Sequence, residues 1–147
     1  MTAAEGSRSA WLLLDTHTLL WMVEDHPRLG AETAKTLNRA AREDRIAVGA
    51  ITPWEIALLV SKKRIDLQRD PLEWVRATLS LPGVHLVPLE PEIAVASTRL
   101  PFEMHADPAD RIIVATARHL GATLVTADRA LLELAKKGNF RGMDAGA

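Results

Sequence analysis

Short unbroken apolar runs alternate along this chain with longer stretches in which apolar residues recur every three or four positions. The runs are Trp11–Leu14, which meets Asp15 directly, Ile46–Ala50, Val84–Leu89 and Thr123–Thr126. Runs of this length, free of charge, read as strands buried on both faces. The stretches between them predict helices over Thr16–Val23, Pro27–Arg42, Thr52–Arg64, Asp70–Leu79, Glu92–Arg99, Ile112–Ala117 and Arg129–Lys137. Thr52-Pro53-Trp54-Glu55 carries a start signal: a hydroxyl cap, proline at the first helical position, and an acid three on from the cap. Lys62-Lys63-Arg64 places cations at the negative end of that helix. Strands alternating with helices imply an α/β fold. The expected architecture is a three-layer α/β/α sandwich around a central parallel sheet of four to five strands.

Composition narrows the picture. At 147 residues the chain suits one domain, expected over 11–141, with 1–10 and 142–147 as mobile ends. Hydrophobic residues make up 48% and aromatics 4%, which predicts an aliphatic core and no exposed stacking platform. A net charge of −1 gives no overall attraction for nucleic acid, so local cations would have to supply it. There is no cysteine, which excludes disulfides and thiolate metal sites and is compatible with the cytoplasm. No apolar run reaches the length of a membrane span, and the start lacks the basic-then-apolar order of a secretory signal.

The candidate chemistry lies in four acids: Asp15, Glu55, Asp110 and Asp128. Each follows a strand or opens a helix, and each has a plain structural reading. Asp15 and Asp128 suit N-caps, Glu55 suits the far half of a capping box, and Asp110 suits the first turn of a helix capped by Asp107. Asp70-Pro71-Leu72-Glu73 has the same shape and is assigned no chemistry. Jointly the acids say more. Right-handed crossovers return every strand in one direction, so Asp15 and Asp128 fall on one sheet edge, and the helix starts bearing Glu55 and Asp110 face it. Four carboxylates in a partly buried site call for a counterion. Hard oxygen donors suit Mg²⁺ or Mn²⁺, which can activate water and stabilise a phosphodiester in transfer.

The segments Leu12-Leu13-Leu14-Asp15-Thr16-His17-Thr18-Leu19-Leu20-Trp21, Ile51-Thr52-Pro53-Trp54-Glu55-Ile56, His105–Ala117 and Leu124-Val125-Thr126-Ala127-Asp128 together resemble the PIN-domain nucleases, in particular the VapC-type toxins of bacterial toxin–antitoxin pairs. The likeness spans nearly the whole chain. It implies a metal-dependent ribonuclease acting on RNA, neutralised by a small VapB-like antitoxin, and often a homodimer. Carried over by position, Asp15, Glu55, Asp110 and Asp128 surround the Mg²⁺ or Mn²⁺ site directly or through water. Thr126 is a supporting contact to water or phosphate, and Asp107 is a helix cap, a possible Arg111 partner and a secondary candidate for the metal. Ala109 is smaller than the bulky residue at that place in this branch, which bears on local packing alone.

Other residues have plainer readings. His17 follows Thr16 on a helix and suits a structural hydrogen bond; His105 suits a cap or bridge; His26, His85 and His119 have no partner at ligand spacing. Trp21, Trp54 and Trp74 suit core or groove packing, with a partner's helix as the functional alternative. Lys62-Lys63-Arg64 and Lys136-Lys137 suit solvated helix ends, with RNA-backbone contact as the alternative. Two competing functions remain at this level. A phosphohydrolase of small phosphate esters fits Asp15, although the haloacid-dehalogenase type requires a second Asp where His17 stands. A non-catalytic binding module would use the acids only as caps.

Overall fold

The computed structural model describes residues 10–147. Five strands form one parallel sheet: β1 (Leu12–Leu14), β2 (Ile46–Gly49), β3 (Val84–Val87), β4 (Thr123–Thr126) and β5 (Arg141–Asp144), in the order β3-β2-β1-β4-β5. Seven helices connect them: α1 (Thr16–Glu24), α2 (Ala31–Arg42), α3 (Ile51–Ser61), α4 (Pro71–Leu79), α5 (Pro91–Ala96), α6 (Pro108–Leu120) and α7 (Arg129–Lys136).

Alternate side chains of the inner strands enter separate cores because a strand points successive residues to opposite faces. Leu12, Leu14, Ile46, Val48 and Val125 pack with Leu19, Leu20, Leu37, Ile56 and Trp74 on one face. Leu13, Ala47 and Leu124 pack with Ile113, Val114, Ala117 and Leu131 on the other. The two cores and the sheet between them make the α/β/α sandwich that the runs of apolar residues predict.

The chain winds outward from β1 through β2 to β3, then returns to the opposite side of β1 for β4 and β5. The order therefore reverses between β1 and β4, and the crevice beyond the carboxyl ends of those two strands is where such sheets place ligands. Asp15 directly follows β1, and Asp128 lies two residues beyond the end of β4.

Three local expectations are corrected. Residues 142–147 do not form a mobile end: Gly142–Asp144 belong to β5, Ala145 is buried, and Ala145 N–H donates to Thr126 O at 2.9 Å. Gly142 lets α7 approach, since a Cβ there would lie 2.6 Å from that of Ala135. The expectation for the start falls mainly on residues 1–9, outside the described residues; the carbonyl of Ala10 accepts from Arg45 Nη1 at 2.7 Å. The helix expected from Pro27 begins at Ala31, after Gly30. The helix expected to be capped by Thr52 begins one residue earlier, at Ile51, with Ala50 already in helical conformation. Thr52 is fully buried and its hydroxyl meets that of Thr16 at 3.4 Å, so it serves the interior and not the helix end.

Candidate active site

Asp15, Glu55, Asp110 and Asp128 come from four separate segments and line one cleft of about 410 Å³ at the reversal between β1 and β4, with Thr16, His17, Trp21 and Arg28. Capping accounts for only part of this set. Asp15 Oδ1 accepts from Thr18 N–H at 2.9 Å and Asp128 Oδ1 from Leu131 N–H at 3.1 Å, so both do cap their helices. Asp107 Oδ1 caps α6 through the N–H groups of Ala109 and Asp110, at 2.9 and 3.2 Å. Glu55 does not close a capping box; its Oε1 accepts from the Thr16 hydroxyl at 2.7 Å. Asp110 likewise sends its carboxylate into the cleft, where Oδ2 meets His105 Nε2 at 3.3 Å.

The two acids that cap nothing both have their carboxyls raised. Burial raises the Glu55 carboxyl, and the charges of Asp107 and Asp15 add to it, against the Thr16 hydrogen bond and His17. Burial likewise pushes Asp110 up to about 6, reinforced by Asp107, Asp128 and Glu55 and opposed by His105. Both are half-buried carboxylates repelled by their neighbours, the condition that a divalent cation relieves.

Thr126 joins two of the acids. Its buried hydroxyl donates to Asp15 Oδ2 and accepts from Asp128 N–H at 3.0 Å. Asp107 is exposed, and the expected Arg111 pairing is not made. Arg111 instead donates to the carbonyls of Ser97, Met104 and His105, at 2.9, 3.3 and 3.4 Å, which ties the loop ahead of α6 to α5. The His17 ring stands edge-on to Trp21, with centroids 6.5 Å apart, in place of the expected hydrogen bond. Two participants escaped the sequence: Arg28, from the loop between α1 and α2, and Thr16, whose position next to Asp15 was the one available signal.

The donor set is hard oxygen throughout, with no thiol anywhere in the chain. Among the described residues no three such side chains are already gathered closely enough to enclose an ion. That differs from the tight cluster the sequence suggests, so the case for a hard cation rests on the chemistry of the donors and on the raised carboxyls of Glu55 and Asp110. The residues present fit such an ion.

Residues 12–137 match the PIN domain family. Ribonuclease VapC22 of Mycobacterium tuberculosis is 36% identical over 120 residues, covering 82% of this chain and 88% of that protein. A chain in the crystal structure of VapBC2 from Rickettsia felis, bound to a DNA fragment from their promoter, superposes with a TM-score of 0.67 at 19% identity over 90% of this chain and 97% of that one. A chain in the DNA-bound VapBC structure from Salmonella typhimurium gives 0.66 at 18% identity over 92% and 98%. At those identities the structural likeness is one of fold. With the family match and the curated relative, it places the chain in the PIN-domain family, in its VapC-type branch.

Proposed function

We propose that this protein is a divalent-metal-dependent endoribonuclease, the toxin of a pair whose other member is a small VapB-like antitoxin. The observation that carries the reading is the convergence of Asp15, Glu55, Asp110 and Asp128 from four segments on one cleft. The ribonuclease name of the VapC22 relative supports RNA as the substrate, and the VapBC assemblies among the structural neighbours support the antitoxin. We further propose one PIN unit that runs on through β5, a homodimer, and action in the cytoplasm. Among the described residues no helix is long and apolar enough to cross a membrane.

Asp15, Glu55, Asp110 and Asp128 would hold Mg²⁺ or Mn²⁺, directly or through water. When bound, the ion supplies charge to activate water and to offset the negative charge that grows on the phosphoryl oxygens. The chain's own groups do the rest. Thr126 fixes the orientation of Asp15, and Thr16 fixes that of Glu55. Asp110 Oδ2 faces His105 Nε2 at 3.3 Å, and a bound cation would keep Asp110 ionised against the burial that raises it. Arg28, on the cleft wall, offers a guanidinium to the substrate phosphate against the surrounding acids.

The test is cleavage of a labelled RNA by purified protein in Mn²⁺, in chelator, and after Asp15→Asn. Asn keeps the size and one acceptor but removes the charge. Cleavage only by the wild type in metal supports the proposal; equal cleavage in chelator or by the variant ends it.

A further inference from the structure

We propose that the groove beside Trp54 seats a nucleobase adjoining the phosphate that is cut, an inference that rests on the ribonuclease reading above. Trp54 is 56% exposed, against 7% for Trp74, and it directly precedes Glu55 on α3. A groove of about 480 Å³ runs along it, walled by Ile51, Leu58, Pro108 and Ala109, with Glu55 and Asp107 at its rim. Glu55 also lines the acidic cleft, so the two depressions meet at that side chain. A phosphate at the acids thus brings its neighbouring base to the indole.

The chemistry of the groove selects a base over the other occupants an apolar surface attracts. Phosphates are repelled by Glu55 and Asp107, so the backbone does not enter. An apolar helix from a protein partner would strip water from both carboxylates and offer them no donors, which is costly. A base presents a flat face that stacks on an aromatic ring whatever its identity. Its edge carries N–H groups that carboxylates accept, as Asp and Glu do from cytosine N4. Asp107 has an oxygen for this: Oδ1 takes both helix-cap bonds, and Oδ2 accepts none among the described residues. The groove therefore accepts a base that turns an N–H toward Asp107. An exposed aromatic at this place also departs from the expectation of no stacking platform.

The experiment uses an RNA whose cut bond has been mapped, and two copies of it with an abasic ribose on one side or the other of that bond. In wild-type protein one abasic copy should lower kcat/KM by roughly tenfold or more, the range that base–aromatic stacking produces. Trp54→Leu should lose that penalty and Trp54→Phe should keep most of it; as an exposed residue Trp54 can be changed with little risk to folding. Equal cleavage of all three RNAs by the wild type, or an undiminished penalty in Trp54→Leu, overturns the inference and leaves the ribonuclease reading standing. The same holds if Trp54→Leu impairs only association with a protein partner. No cleavage of any RNA by the wild type overturns both.

Discussion

Asp110 and Thr126 show at the scale of single residues how a cleft of acids is held together. The Asp110 carboxyl sits at about 6 in the folded protein against an ordinary value of 3.8. Between those values the folded chain keeps a proton that the unfolded chain has released. The contribution of Asp110 to stability is thus fully present below about 3.8 and lost as pH rises through about 6. In chelator, the difference in melting temperature between wild type and Asp110→Asn should shift against the wild type over that window; a constant difference would contradict the assignment. Thr126 links Asp15 to Asp128 through one buried hydroxyl. Thr126→Val leaves Asp128 N–H without its partner and should cost about 1–3 kcal/mol in denaturant unfolding. It should also weaken Mn²⁺ binding, and Thr126→Ser should restore both.

Among the elements, capping and chemistry separate cleanly enough to be tested against each other. Asp70 Oδ2 caps α4 through the N–H groups of Leu72 and Glu73, at 3.0 and 3.2 Å, and lies outside the acidic cleft. Asp70→Ala should lower stability by about 1 kcal/mol and leave RNA cleavage unchanged. Asp128→Asn should do the reverse, because Asn caps as well as Asp but lacks the charge. Melting curves and cleavage rates on the two variants decide it. The same contrast explains what the sequence discloses. β1 and β4 stand out because burial on both faces demands unbroken apolar runs, and the acids at their ends follow from parallel winding. β5 does not stand out: Arg-Gly-Met-Asp is an edge strand with no apolar alternation, held by backbone pairing to β4 and by the closeness of Gly142 to α7. Thr52 reads as a cap from its neighbours, yet its hydroxyl faces Thr16, a contact across 36 positions that no local signal carries. Glu55 is legible as an acid facing the sheet edge, whereas its capping-box spacing misleads, since its carboxylate accepts from Thr16 and not from a helix-end N–H.

At the scale of the whole molecule, the reversal of strand order between β1 and β4 is what converts scattered acids into one site. Asp15 and Asp128 follow the two strands at that reversal, while α3 and α6 bring Glu55 and Asp110 to the same crevice from either side. Arg28 enters from a loop with no periodic signal and illustrates why the cleft mouth was less legible than its floor. Arg28→Ala should raise KM for RNA several-fold with little change in kcat, read from steady-state cleavage at fixed Mn²⁺. Calorimetric titration of Mn²⁺ at neutral pH into metal-free wild type, Asp15→Asn and Asp128→Asn asks whether carboxylates from separate segments jointly hold a divalent ion. Saturable binding by the wild type, weakened at least tenfold in each variant, is the predicted result. No binding by the wild type, or equal binding by all three proteins, would contradict it.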